Sequence, residues 1–286
     1  TSKIHRWETR DLHRKNDNFD PKINKNDEVK EVYETMVDLR KVNCDIITLG
    51  QYIQPPGNVL EVKEYIHPNQ FKEYSLKVVD STREFAAAYK PNLAFFEEWG
   101  SEGLVWLEEL IQEIGNEHII IADAKRGDIG NSAKHYANAF FNHFNCDAIT
   151  VNPYMGADSI EPFCSNPEKG VYVLCVTSNP SASKIQDDSF KNVIDLTNNT
   201  NQNKNVGLVV GATKMEKMEE VRALSKLPFL IPGIGAQGGD LENTIKINEQ
   251  FIESTLINVS RSIIFADDIS AAAREFLEKM RGCVEG

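Results

Sequence analysis

Short apolar, β-branched runs alternate with amphipathic helical patterns along most of this chain, and this alternation restricts its fold more than any other feature. Successive runs are about 30 residues apart, the length of one strand–helix unit. Most of them are apolar at every position, as expected for parallel strands covered on both faces. Eight runs have this character, and they lie at residues 45–49, 86–90, 119–123, 147–151, 171–176, 206–211, 229–232 and 256–260.

Eight such units are what a (β/α)8 barrel requires, so the sequence predicts an α/β protein with the TIM-barrel fold. An open, doubly wound parallel sheet is the alternative that the pattern leaves open. The predicted helices have apolar residues at intervals of three and four. They cover residues 29–40, 102–114, 132–144, 215–224, 241–251 and 269–280, and residues 198–205 are predicted to be a polar loop.

The beginning of the chain does not follow the strand–helix alternation. Residues 1–28 are polar, with little periodicity, and are predicted to be extended or partly disordered. We therefore divide the chain into a polar N-terminal extension, residues 1–40, and a single barrel domain, residues 41–286.

Charge and composition argue against several classes of protein. With 31 Lys and Arg against 43 Asp and Glu, the net charge of −12 argues against a general nucleic-acid binder, although a local site can still bind phosphate. No apolar run approaches the roughly 20 residues of a membrane helix, and the polar start of the chain does not resemble a signal peptide. Five cysteines without a C-x-x-C pair favour a reducing cytoplasm, and the histidine spacing predicts no metal site.

The segment with the most chemical information follows the third predicted strand. Here an apolar run leads directly into Asp123, Lys125 and Asp128. Asp123 and Lys125 project from the same side of an extended chain, because side chains alternate along a strand. An ammonium held between carboxylates stays protonated and can act as an acid. A solvated, salt-bridged loop is the alternative, but the position at a strand end, beside glycines, favours a site.

A second constellation lies at the ends of the last two predicted strands. The glycine-rich segment that follows the seventh strand contains Gly233, Gln237 and Gly238, and its backbone N–H groups can turn toward an anion. The eighth strand ends in Arg261 and Ser262, and an arginine there suits a phosphate. This is the usual place of a phosphate site in such barrels, although an arginine that caps the barrel rim would look the same.

Three further groups lie at predicted strand ends. Lys90 ends the second strand, and a lysine in that position is more often functional than part of a core. Thr177 and Ser178 follow the fifth strand and offer hydroxyl groups to a neutral heterocycle. The turn at residues 153–156 follows the fourth strand, where a substrate contact and a simple rim turn are equally good interpretations.

From about residue 71 to the end, the chain resembles the orotidine 5′-phosphate decarboxylases, in their longer bacterial and protozoal subgroup. The matching strings occur in the order and at the spacing of that family. They are AAAYKPNLAFFE, IIADAKRGDIGNSA, DAITVNPYMGADSI, VGLVVGAT, PGIGAQGGD and INVSRSII.

The resemblance implies a cytoplasmic enzyme of pyrimidine biosynthesis that decarboxylates orotidine 5′-phosphate to uridine 5′-phosphate without a cofactor or metal. It implies a charged catalytic network, a homodimer in which Asp128 reaches into the partner's active site, and no nucleic-acid or membrane partner. Ser132 takes the place of a helix hydroxyl residue that contacts the substrate. Thr177 and Ser178 would contact the pyrimidine, and Gln237 and Arg261 the phosphate. The network consists of Lys90, Asp123, Lys125 and Asp128.

The front of the chain carries a different resemblance. Residues from about 26 to 74, especially MVDLRKVNCDIITLGQYIQPP, are similar to a late barrel segment of the lipoyl synthases. The cysteine motifs that bind iron–sulfur clusters in those enzymes are absent here. The resemblance thus predicts a natural or artificial fusion, or a mis-joined gene, in which a foreign strand fills the first barrel position. The ribose-binding Asp of the decarboxylases is not found, and Asp45, at the start of its strand, is not assumed to replace it. A nucleotide-phosphate-binding barrel with impaired catalysis is therefore the alternative function.

Overall fold

The structure is a computed structural model, and it describes residues 68–235 and 237–285. In this part of the chain seven parallel strands form one sheet, and each strand pairs with the next along the chain. A doubly wound sheet would reverse its strand order at a switch point, so the order observed here is that of a (β/α)8 barrel. The strands are β1 (Ala88–Tyr89), β2 (Ile119–Arg126), β3 (Ala148–Val151), β4 (Gly170–Val176), β5 (Val206–Val210), β6 (Phe229–Pro232) and β7 (Thr255–Asn258).

Helices follow the strands and cover the outside of the sheet. Helix α4 continues into a π-helical turn at Ala139–His143, and α8 continues into a 3-10 helix at Glu249–Ser254. The helices are α1 (Pro68–Thr82), α2 (Ala94–Glu97), α3 (Gly100–Ile114), α4 (Gly130–Asn138), α5 (Glu161–Cys164), α6 (Ser183–Thr200), α7 (Met215–Leu224), α8 (Leu241–Asn248), α9 (Arg261–Ile264) and α10 (Ile269–Glu285).

Seven of the eight predicted strands are thereby found. The predicted strand at residues 45–49, the predicted helix at 29–40 and the N-terminal extension lie outside the described residues. The polar loop predicted at 198–205 is wrong at its start, because α6 runs to Thr200. This helix is polar apart from a narrow buried stripe that includes Phe190, Ile194 and Thr197, whose spacing of four and three is helical.

The interior of the barrel is a separate apolar layer. Every described strand contributes to it, with Ile121 from β2 and Ala148 from β3 directly paired across the ladder. Because side chains alternate along a strand, the residue two positions further along each strand faces the same interior. The layer consists of Ala88, Ile121, Ala148, Tyr172, Leu174, Val209, Leu230 and Leu256.

Candidate active site

The centre of the site is the next interior layer toward the carboxyl ends of the strands. Two residues beyond the apolar layer, β1 leads to Lys90, β2 to Asp123 and β3 to Thr150. These three side chains are at most about one-tenth exposed: the relative exposure is 9% for Lys90, 8% for Asp123 and 1% for Thr150. Strand register therefore places an ionisable pair inside the barrel mouth, where the loops of such barrels build their sites.

Asp123 is the hub of this layer. Its Oδ2 accepts a hydrogen bond from Lys90 Nζ at 2.5 Å, and its Oδ1 accepts one from Lys125 Nζ at 2.6 Å. The two ammonium groups differ in access, because the Lys90 side chain is 7% exposed and the Lys125 side chain is 48% exposed. One carboxylate thus binds a buried ammonium on one side and an ammonium open to a ligand on the other.

The electrostatics of the cluster keep Asp123 ionised. Burial raises the pKa of the Asp123 carboxyl, but the charges of Lys90 and Lys125 outweigh burial and lower the pKa to about 2. Burial lowers the pKa of Lys90, and the adjacent Asp123 carboxylate opposes that change. A fixed negative charge beside an accessible ammonium is the result.

An irregularity in β2 sets the direction of Lys125. Between the pairs Ala122↔Ile149 and Arg126↔Val151, β2 advances four residues while β3 advances two. Lys125 lies inside this bulge with φ +48°, a conformation that costs a non-glycine residue on the order of 1 kcal/mol. Lys125 Nζ nevertheless contacts Asp123 Oδ1, but the bulge, and not the regular alternation on which the prediction rested, gives the side chain its direction.

Asp128 and Ser132 lie just beyond this cluster. The Asp128 Oδ1 accepts a hydrogen bond from the N–H of Ile129 at 2.8 Å, immediately before α4. Ser132 is exposed in the first turn of that helix. Of the two carboxylates predicted around Lys125, Asp123 is the one that contacts it within the chain, and the role of Asp128 in a partner's site stays a prediction.

The predicted phosphate-binding groups converge on neighbouring strand ends. Pro232 pairs with Asn258, so the loop that follows β6 lies beside the residues that follow β7. Gly233, at φ +104°, permits the tight turn of this loop, and a Cβ at that position would lie 3.3 Å from Gln237 Oε1. Gln237, Gly238 and Arg261 are exposed, whereas Ser262 is half-buried.

Thr177 and Ser178 form the corresponding turn after β4. Gln186 of α6 fixes this turn, since its Oε1 accepts a hydrogen bond from the Thr177 N–H at 2.8 Å and its Nε2 donates to Thr177 Oγ1 at 3.0 Å. Gln186 is not among the residues predicted from the sequence, because it lies in α6, a polar helix that the sequence pattern did not predict. The Ser178 backbone packs closely against Gly211, where an added Cβ would lie 3.0 Å from the Ser178 nitrogen.

The described part of the chain has neither a metal-binding cluster nor a membrane-spanning helix. Among residues 68–235 and 237–285, no group of three or more His, Cys, Asp or Glu side chains is placed to hold a metal ion. Within the same residues, no helix is both long enough and apolar enough to cross a membrane.

Comparison with known proteins decides the family. The model of the orotidine 5′-phosphate decarboxylase / HUMPS family matches residues 29–276, most of the chain. The chain belongs to this family. An orotidine 5′-phosphate decarboxylase from Dehalococcoides mccartyi is 41% identical over 227 residues, which are 74% of this chain and 84% of that protein.

Solved structures of the decarboxylase family have the same fold. The structure of Leishmania donovani OMP decarboxylase matches with a TM-score of 0.73 and 34% identity, over 90% of this chain and 99% of that one. The structure of Leishmania donovani UMP synthase matches with a TM-score of 0.74 and 37% identity, over 89% of this chain but only 56% of that one. The chain therefore corresponds to about half of the UMP synthase.

The family match also bears on the front of the chain. The match to the family model begins at residue 29, well before residue 71, where the sequence strings place its start. The similarity of residues 26–74 to lipoyl synthases stays a prediction, since these residues lie mostly outside the described part of the chain.

Proposed function

We propose that this chain decarboxylates orotidine 5′-phosphate to uridine 5′-phosphate without a cofactor or metal. The observation that carries the proposal is the buried Asp123 carboxylate, bound on one side by Lys90 and on the other by the accessible Lys125. Proteins named orotidine 5′-phosphate decarboxylase are about 40% identical to this chain over most of its length, which supports the proposal.

The reaction breaks the bond between the pyrimidine ring and its carboxylate. Carbon dioxide leaves, and the electron pair of that bond stays on the ring carbon as a carbanion. Asp123, ionised because its pKa is about 2, raises the energy of the bound substrate when the substrate's carboxylate lies beside it. The Lys125 ammonium stabilises the developing charge and delivers the proton that completes uridine 5′-phosphate. Lysine then regains a proton from water.

Binding at a distance from the reacting carbon contributes to the rate. We assign the phosphate to the loop at Gly233, Gln237 and Gly238 together with Arg261 and Ser262, because strand register brings these two segments side by side. Arg261 is exposed at this strand end, so its guanidinium can meet a ligand from solvent. Thr177 and Ser178 are assigned to the pyrimidine. Contacts to the phosphate can be used to position the ring against Asp123.

We further propose that the working form is a homodimer with shared sites. Asp128 would enter the partner's site, and Ile129 beside it is one of three large apolar side chains exposed after strands β2 and β3. Ile129 is 52% exposed, Tyr154 is 83% exposed and Met155 is 48% exposed, and they follow two neighbouring strands, β2 and β3. A contiguous patch of exposed apolar side chains is a feature of protein–protein contact surfaces, and these three residues are the ones that would contribute to it. In this proposal the turn at residues 153–156 is a turn at the rim of the barrel and not a substrate contact.

The reducing cytoplasm is the compartment that we propose for this enzyme. Cys146, Cys164 and Cys175 are free and buried, and burial raises the pKa of each thiol to about 12. We also propose that residues 41–286 form one barrel domain preceded by a polar extension. The family match covers most of that range, and it also includes residues 29–40 of the proposed extension.

The function is tested by adding orotidine 5′-phosphate to the full chain, after dialysis against a chelator, and following the loss of ultraviolet absorbance. We expect turnover that survives the chelator, and far slower turnover of orotidine, which lacks the phosphate. Tight binding of uridine 5′-phosphate without turnover would instead establish the alternative, a nucleotide-binding barrel with impaired catalysis. Activity that returns only when metal is restored would contradict the cofactor-independent mechanism.

A further inference from the structure

Thr150 is a buried polar residue in the site for which the reaction scheme gives no role. It lies in the middle of β3, in the interior layer beside Asp123, and is 1% exposed. Its Oγ1 donates a hydrogen bond to Asp123 Oδ1 at 3.0 Å and accepts one from the Lys125 N–H, also at 3.0 Å. A single hydroxyl therefore contacts the side chain of one member of the charged cluster and the backbone of another.

The directions of these two hydrogen bonds follow from chemistry. The backbone N–H of Lys125 can only donate, so the Thr150 oxygen must accept from it. Asp123 is ionised, since its pKa is about 2, and its carboxylate can only accept, so the single hydroxyl proton must point to it. The Thr150 hydroxyl thus both donates and accepts a hydrogen bond, and no other orientation of its proton would satisfy both Asp123 and the Lys125 N–H.

The bulge in β2 explains why the hydroxyl is required at this position. Between Ala122 and Arg126 the regular pairing of β2 with β3 is interrupted. Lys125 lies there at φ +48°, and its N–H needs a partner inside the barrel. Thr150 supplies that partner from the adjacent strand β3, in place of a backbone carbonyl. The same hydroxyl then connects the conformation of the Lys125 backbone to the position of the Asp123 carboxylate.

We propose that Thr150 is a positioning residue that holds Asp123 and Lys125 in register for the reaction. This inference rests on the proposed decarboxylation. Asp123 Oδ1 receives both the Thr150 hydroxyl and the Lys125 ammonium. Loss of the hydroxyl leaves only the two lysine side chains to orient the carboxylate, and it removes the link from the carboxylate to the Lys125 backbone. Substrate affinity should hardly depend on Thr150, since in our assignment the groups that bind phosphate and pyrimidine lie on other strands.

The test compares Thr150→Val, which keeps the shape and removes the hydroxyl, with Thr150→Ser, which keeps the hydroxyl. We expect Thr150→Val to lower kcat by about 10- to 100-fold, the scale of a hydrogen bond to a charged group. KM and the affinity for uridine 5′-phosphate should change less than about threefold, and Thr150→Ser should recover most of kcat. The matched control is Thr197→Val, which removes an equally buried hydroxyl that bonds to Val193 within α6, and it should leave kcat unchanged.

A second measurement does not depend on activity. Hydrogen exchange of the Lys125 amide should become on the order of tenfold faster in Thr150→Val, relative to amides of β4, because its acceptor is lost. Thr150→Ser and Thr197→Val should show no such local change. If Thr150→Val does not fold, Thr150→Cys replaces it, because the thiol keeps the volume and is a poor hydrogen-bonding group.

Three results would overturn the inference: a Thr150→Val enzyme with at least half the kcat of wild type, equal losses of kcat and of uridine 5′-phosphate affinity, or unchanged exchange at Lys125. An inactive wild-type chain would instead contradict the proposed function. In that case the exchange measurement still decides whether Thr150 holds the Lys125 backbone, so the two failures are distinguishable.

Discussion

The contact between Asp123 and Lys90 offers the sharpest test of the charged cluster. Lys90 Nζ lies 2.5 Å from Asp123 Oδ2, and both side chains are at most 10% exposed. Asp123→Asn keeps the shape of the side chain and removes its charge. The buried Lys90 then loses its counter-charge, so it must either stay charged without a partner or release its proton, and both are unfavourable relative to wild type.

The loss of unfolding free energy in Asp123→Asn can be estimated from the burial and the pKa of Asp123. Its decrease from 3.8 to about 2 corresponds to about 2 kcal/mol of stability at neutral pH. Removal of one partner from a buried pair typically costs 3–5 kcal/mol. We therefore expect Asp123→Asn to lower the free energy of unfolding by about 3 kcal/mol. With a urea slope near 3 kcal/mol/M, the unfolding midpoint falls by about 1 M.

The dependence on pH has a defined sign. Because the folded-state pKa of Asp123 is below its unfolded value, its contribution is complete above about pH 4 and disappears as the pH falls toward 2. Wild type should lose about 2 kcal/mol over that range through this group. Asp123→Asn, which has no carboxyl to protonate there, should not show that part of the loss.

The assay is urea unfolding at fixed chain concentration, since association would otherwise change the midpoint. Asp188→Asn, an exposed carboxylate on α6, is the matched control and should unfold within about 0.5 kcal/mol of wild type. Asp123→Asn combined with Lys90→Met should recover most of the loss, because the buried charge is then removed as well. A midpoint for Asp123→Asn within about 0.3 M of wild type would refute the reasoning.

Three further predictions concern catalysis, binding and assembly. Lys125→Ala should lower turnover by more than about 10²-fold, while uridine 5′-phosphate still binds. A variant that keeps a tenth of the wild-type rate, or an equal loss in the exposed control Lys226→Ala, would contradict the role of Lys125 as proton donor. Measured by calorimetry, Arg261→Ala should weaken the binding of uridine 5′-phosphate by about 2–3 kcal/mol and hardly change the binding of uridine, with Arg281→Ala as the control. Equal losses for both ligands would mean that Arg261 has a structural role. Mixing inactive Asp128→Ala and Lys125→Ala chains should restore roughly a quarter of wild-type activity per site, because half of the randomly formed dimers have one intact site; a fully active monomer by sedimentation would exclude shared sites.

Much of the site was predictable from the sequence, because its signals are local. The apolar runs specify buried parallel strands, and polar residues at their ends mark the face where barrels build their sites. Two-residue alternation predicts Asp123 and Lys125 on one side of β2, and the two side chains do contact each other, although Lys125 reaches Asp123 from a bulge and not from a regular strand. The glycine-rich loop and Arg261 are likewise readable as strand-end features, since they directly follow apolar runs.

Other features depend on pairing between distant segments. Thr150 is a single hydroxyl in an apolar strand, and only the register of β3 against β2 shows that it lies beside Asp123. One signal was available, because Thr150 follows the interior residue Ala148 by two, as Asp123 follows Ile121. That signal has meaning only when the two strands are aligned, and alignment depends on packing across the barrel interior.

Burial is the other property that tertiary structure alone decided. Lys90 and Lys125 are both lysines at strand ends, yet one side chain is 7% exposed and the other 48%. Lys90 continues the interior layer of β1, whereas Lys125 lies in a bulge with a left-handed backbone. The sequence determines which groups reach the mouth of the barrel, because strand order and alternation are encoded locally. How deeply each group lies, and hence which lysine can meet a ligand, depends on contacts between residues far apart in the chain, because burial is a property of the packed barrel.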